Sequence, residues 1–163
     1  MIKFQSFNGT ITMISDFPIG ENEAGAGCYK LISVDNGFGT LVNFVVAPTT
    51  YFVDNVIVEV GDRVTGYYDA NAPVPLIYPP QFRAIVMAKD TLDRNVKVDY
   101  FNNQLESSDG QLRLNISPYT QILLINGQPF TRIPINRNLI VVYGATTKSI
   151  PAQTTPYKII VMC

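Results

Sequence analysis

The stretch "GYYDANAPVPLIYPPQFRAIVMA", residues 66–88, restricts the fold more than any other part of the chain. Four prolines and three tyrosines there separate two segments that read as β-strands. Proline fixes φ and has no N–H, so it cannot donate to a β-ladder. It also pushes the residue before it into an extended conformation. The stretch is therefore a stiff, unpaired crossover between two strands. A softer version returns near the C-terminus as "YGATTKSIPAQTTPYKIIVM", residues 143–162.

The two halves align beyond the prolines. At a spacing of 70 residues Phe44 matches Leu114, Val46 matches Ile116, Pro48 matches Pro118 and Thr50 matches Thr120. Gly61-Asp62-Arg63 faces Ile135-Asn136-Arg137. At a spacing of 76, Tyr67 matches Tyr143, Pro75 matches Pro151 and Pro80 matches Pro156; a one-residue slip then lays "FRAIVM" over "YKIIVM". We read this as an internal repeat of a β-rich unit, with residues 1–92 as the first unit and 93–163 as the second, shorter one. The polar run Asp90–Asn95 is the junction.

The β signal extends along the whole chain. Alternation and β-branching predict strands at Thr10–Ile14, Tyr29–Val34, Leu41–Val46, Val56–Val60, Arg63–Tyr68 and Phe82–Ala88. In the second half they predict Val96–Phe101, Leu112–Ile116, Gln121–Ile125, Leu139–Tyr143 and Lys158–Met162. Turn signals fall between them, among them Asp35-Asn36-Gly37 and Ser108-Asp109-Gly110. No window carries a helical period. An all-β fold follows. About five short strands per unit, with a glycine (Gly9) in a long first strand, suit two tandem OB-like barrels, small and partly open, packed together. The alternative is a single β-sandwich in which both repeats share one core.

The segments "GDRVTGYYDANAPVPLIYPPQFRAIV" and "SIPAQTTPYKIIV" resemble a family of small OB-like β-barrel proteins of spore-forming Firmicutes. The resemblance covers most of the chain and implies an association with the spore. It brings no catalytic residues to carry over.

Composition narrows the chemistry. Histidine is absent, which excludes His-based triads, dyads and metal sites. Net charge is −1 with no basic face, which disfavours nucleic acid as a partner. No apolar run is long enough for a membrane span, and the first residues lack the apolar core of a secretory signal. The expected location is the cytoplasm, or a surface such as that of the spore reached by a non-classical route. The carboxylates Asp35, Asp62, Asp93 and Asp109 sit in turn contexts. Asp16–Glu23 ("DFPIGENE") lacks calcium-loop spacing, and the glycine clusters at 25–27 and 37–39 lack the Lys-Ser/Thr of a phosphate loop. We therefore expect no catalytic residue, no metal site and no cofactor.

Only 15% of residues are charged, and Thr, Asn, Gln and Tyr are abundant. Neutral surface of this kind goes into contacts with other chains. The expected function is that of a non-enzymatic structural protein that self-associates into a filament, coat or inclusion. Strand-edge and terminal contacts would drive it, through Phe4–Phe7 and Ile159–Met162. Cys28 and Cys163 are candidates for an intersubunit disulfide. Phe4, Phe7, Tyr51, Tyr67, Tyr68, Tyr78, Pro79 and Pro80 are candidates for assembly or ligand contacts. The alternative is a ligand-binding module that presents its Tyr/Pro-rich crossover, with Phe82 beside it, to an oligosaccharide or a peptide.

Overall fold

A single strand, β1 (Phe4–Asp16), organises the first half of the computed structural model, which describes residues 1–18 and 25–163. Its first part, Phe4–Thr10, pairs antiparallel with β5 (Arg63–Asp69). Its second part, Thr10–Asp16, pairs antiparallel with β2 (Lys30–Asp35) across a register shift between Ile11 and Met13. Serving two neighbours in succession requires the strand to bend. Gly9 lies at the bend, and the Asp35 carbonyl occupies the space where a Cβ would stand. Only glycine permits that approach.

From β2 the chain turns at Asn36–Thr40 into β3 (Leu41–Val46), which pairs antiparallel with β2. Asp35 and Asn36 accept hydrogen bonds from the Gly37 and Phe38 N–H groups, a side-chain-built turn. A Pro48-Thr49 turn leads to the two-residue β4 (Tyr51–Phe52). After β5 comes the proline crossover, then β6 (Gln81–Arg83) and β7 (Val86–Lys89). β6 runs parallel to β3, whereas β7 runs antiparallel to β5 and parallel to β4. The switch occurs between consecutive residues. The Ala84 N–H bonds to the Val45 carbonyl on β3, and the Ile85 N–H bonds to the Tyr67 carbonyl on β5. The pairings β1–β2–β3–β6/β7–β5–β1 thus form a ring.

Inside that ring lie Ile11, Ile32, Val34, Val42, Phe44, Val64 and Met87. The Phe44 ring rests against the bare backbone of Gly66, where any Cβ would overlap it. Burying Phe44 and the aliphatic residues around it removes a large apolar area from water, each large side chain contributing roughly 1.5–3 kcal/mol.

The second compact unit, Thr91–Cys163, is distinct from the first, Met1–Asp90. It contains β8 (Asn95–Phe101), β9 (Leu112–Leu114), β10 (Gln121–Leu124), β11 (Arg137–Tyr143), β12 (Ala152–Thr154) and β13 (Lys158–Met162). β8 pairs antiparallel with β11, β11 with β13, and β13 runs parallel to β10. β9 runs parallel to β12. β8, β9, β10, β11, β12 and β13 thus repeat the partners of β1, β3, β4, β5, β6 and β7. The counterpart of β2 is reduced to the bridges Phe101–Ser107 and Glu106–Arg113. Phe101, Leu112, Leu114, Leu139, Val141, Ile159 and Val161 form the core.

The same bridging hydroxyl recurs 70 residues apart, half-buried at Thr50 and buried at Thr120. Thr50 Oγ1 accepts from the Ala47 N–H at 3.0 Å and donates to the Ala84 carbonyl at 2.8 Å. Thr120 Oγ1 accepts from the Ser117 N–H at 3.2 Å and donates to the Pro156 carbonyl at 2.8 Å. Each threonine closes a Pro-containing turn and ties it to the segment between the last two strands of its own unit, at its point of exchange. Cis peptide bonds precede Pro79 and Pro151, just ahead of β6 and β12.

The structure corrects several expected details. Val56–Val60 is no strand: it follows a 3-10 turn, Val53–Asn55, in which Asp54 and Asn55 have positive φ. β12 and β4 were not anticipated, and Phe82–Ala88 is two strands with different partners. Phe44 pairs with Phe82 and Leu114 stands in the register of Thr154, so Phe82 corresponds to Thr154. Tyr67 pairs with Val86 and Val142 with Lys158, so Tyr68, not Tyr67, corresponds to Tyr143. Pro79, not Pro75, corresponds to Pro151, and "FRAIVM" does not overlie "YKIIVM". The crossovers differ in length, and matching prolines by sequence hides that difference.

Removing either threonine hydroxyl leaves a backbone donor and acceptor unpaired. Thr50→Val and Thr120→Val are each expected to lower the stability of their own unit by about 1–3 kcal/mol, read from urea unfolding with a probe in each unit.

Candidate functional site

The two crossovers leave corresponding strands and reach different ends. In the first unit Tyr68 on β5 stacks on Phe82 of β6 with ring centroids 4.0 Å apart and planes 10° from parallel. Phe44 lies 6.2 Å from Tyr68. This aromatic group closes that end of the core, with Phe7 and Phe52 also packed against it. Burial raises the Tyr68 phenol above its ordinary range. Phe82 and Tyr68 thus work as packing, and Tyr67 is buried. Tyr51 is half-buried on β4, and Phe4 and Phe7 are half-buried on β1.

The crossover itself stands out from this base. Val74, Leu76, Ile77 and Tyr78 are all exposed, Leu76 at 101% and Tyr78 at 79%. Pro79 and Pro80 are half-buried as the chain returns to β6. Of the expected aromatic cluster, only Tyr78 is presented to solvent as a large exposed ring, and its companions are aliphatic.

In the second unit Thr154 stands where Phe82 stands in the first, and no aromatic stack fills the end of the core. A cleft of about 460 Å³ opens there, lined by Asn115, Gly144–Thr147, Gln153–Thr155 and Tyr157. Its walls are held by their own hydrogen bonds. Thr147 Oγ1 accepts from the Gln153 N–H at 2.9 Å, and Thr154 Oγ1 donates to the Ala145 carbonyl at 2.9 Å. Asn115 Nδ2 donates to Gln153 Oε1 at 3.2 Å. Tyr157 lies across Gly144, and a Cβ at that position would collide with its phenol. The alignment that laid Tyr157 over Phe82 concealed this cleft. The signal for it was the neutral polar pairs and runs Thr146-Thr147 and Gln153–Thr155, which a β-strand crossover does not require.

A second, apolar groove of about 330 Å³ is lined by Leu124, Ile125, Asn126, Val161 and Cys163. Cys163 and Cys28 are both exposed, and neither is in a disulfide. Ile159–Met162 is not at a sheet edge: β13 has β10 on one side and β11 on the other. Among the described residues, Phe4–Asn8 of β1 pairs on one side only, with β5.

Carboxylates are placed as turn and strand fasteners. Asp90 accepts from Thr65 and Asn8, and Asp62 accepts from the Glu59 N–H and faces Lys89. The Lys3 and Asn71 N–H groups bond to Asp69 and lower its pKa. Asp109 is opposed by burial, yet bonds from Lys97, Ser107 and the Gln111 N–H outweigh it and hold the carboxyl below the usual range. Tyr143 is pushed up, first by burial and then by the Asp109 charge. Among the described residues, no three acidic or cysteine side chains gather as a metal site. Asp16–Glu23 lies largely outside the described residues.

The chain matches no protein-family model, and no curated protein or solved structure is significantly similar to it.

Because the folded pKa of Asp109 is depressed, its contribution to stability is present above the ordinary aspartate value and is lost as pH falls through the folded one. Asp109→Asn is therefore expected to be less stable than the natural sequence at neutral pH. The gap should close below about pH 4, as measured by denaturant unfolding across a pH series.

Proposed function

We propose that the protein is a non-enzymatic structural subunit that associates with copies of itself into a filament, coat or inclusion. The observation that carries this reading is the exposed apolar run Val74, Leu76, Ile77 and Tyr78 on the first crossover. A soluble surface scatters single apolar residues, whereas a contiguous run held out by prolines marks a contact. The occupant we assign is a second copy, because the same chain carries an apolar groove at Leu124, Ile125 and Val161. Plug and groove are different surfaces, so the contact is heterologous and propagates unless the rotation closes. The unpaired edge of β1 at Phe4–Asn8 offers strand addition as a reinforcing contact. Cys163 borders the groove, and Cys28 is exposed, so an oxidising setting would lock neighbouring copies covalently.

We read each unit as an OB-like barrel produced by duplication. The ring of pairings in the first unit and its echo in the second support this: a meander, a strand returning parallel to its third member, and closure on the first. Among the described residues no helix is long and apolar enough to cross a membrane. The resemblance to proteins of spore-forming bacteria favours deposition at a spore surface over a cytoplasmic role.

Sedimentation velocity and negative-stain imaging test the assembly. The natural sequence should form concentration-dependent polymers. Leu76→Asp and Ile125→Asp should each reduce them to monomer, and Cys163→Ser should lose only the disulfide-linked ladder on a non-reducing gel. A natural sequence that stays monomeric at high concentration, with and without reductant, rejects this function.

A further inference from the structure

We infer that the cleft of the second unit is a binding site for a neutral carbohydrate. Its volume of about 460 Å³ falls in the range of small-molecule sites. The lining has no Lys, Arg, Asp or Glu, so it offers no charge to a phosphate, a nucleotide or an ion. It is also too polar for a lipid or a wholly apolar ligand.

What it does offer is hydroxyls and amides, groups that donate and accept together, as sugar hydroxyls do. Thr147 and Thr154 are spent on holding the walls. The exposed Thr146 and Thr155 are left facing the opening. The bond from Asn115 to Gln153 uses the Asn115 amide nitrogen and the Gln153 oxygen. The Asn115 oxygen and the Gln153 amide nitrogen are the groups it does not use, an acceptor and a donor side by side. Tyr157, 59% exposed, supplies a flat face for the C–H side of a pyranose. Gly144 lets that ring lie over the backbone.

The corresponding position of the first unit is built differently. Phe82 fills the position of Thr154, and its neighbour Arg83, at the position of Thr155, is charged. The two copies have therefore diverged, one toward a protruding plug and the other toward a polar cleft. This inference stands apart from the assembly reading, which uses other surfaces.

The test titrates the isotope-labelled full chain with maltohexaose, cellohexaose and chitohexaose, with amide shifts followed by NMR. The natural sequence and the Leu76→Asp variant are both used, so that the outcome does not depend on polymerisation. At least one hexasaccharide should shift amides within 144–147 and 153–157. Tyr157→Ala should weaken that binding about ten-fold with the unfolding midpoint retained. Gly144→Ala should weaken it comparably, because the ring is still present but displaced. The inference is overturned if no hexasaccharide shifts these amides, if the shifts map elsewhere, or if Tyr157→Ala binds as the natural sequence does. A proline- and threonine-rich peptide that occupies the cleft where no hexasaccharide does would equally overturn it.

Discussion

Closure of each unit depends on a change of hydrogen-bonding partner within a single segment. At Ala84 and Ile85 the backbone leaves one strand and joins another, and at Thr154–Tyr157 it does so again. A segment that changes allegiance in mid-course has no regular ladder to hold it there. The threonine hydroxyls of Thr50 and Thr120 supply that hold, because each binds a turn on one side and the carbonyl at the exchange on the other. The ring of strands, the core inside it and the placement of the crossovers all follow from this point being fixed.

The two crossovers occupy corresponding places and are built differently. Both leave the last residues of an antiparallel strand and return parallel to another. In the first unit the base is sealed by Tyr68 on Phe82, so the loop is free of packing duties and its apolar side chains face outward. In the second, Thr154 is small, the base stays open, and the walls are tied to each other by hydroxyl bonds. One aromatic-to-hydroxyl difference at a shared position separates an exposed apolar crossover from a polar cleft.

Much of the fold was legible because strand signals in this chain are local. Leu41–Val46 and Lys158–Met162 form as their β-branched runs predict, and the spacing that pairs Thr50 with Thr120 is the true one. Val56–Val60 failed despite its composition. Positive φ at Asp54 and Asn55 turns the chain away from any ladder, so only Val58 packs against the core while Ile57 faces solvent. The register of the last strand was illegible for another reason. Prolines mark where pairing stops, not how many residues intervene, and the two crossovers differ in length. The cleft escaped because it is assembled from Asn115, Gly144 and Tyr157, which no sequence window contains. The aromatic cluster near the first crossover is legible as core packing: Tyr67 is buried and Tyr68, half-buried, stacks on Phe82, while Tyr78 alone of the group is exposed.

The abbreviated hairpin of the second unit has a wider meaning. A ring of strands that survives with two isolated bridges in place of a full strand is tolerant at that place. In the first unit the full hairpin ends in the tip at Asn36–Thr40, whose Phe38 projects into solvent and whose hydrogen bonds stay within the turn or run back to Asp35. That tip is accordingly a permissive position, where a foreign peptide could be grafted and displayed without disturbing the core.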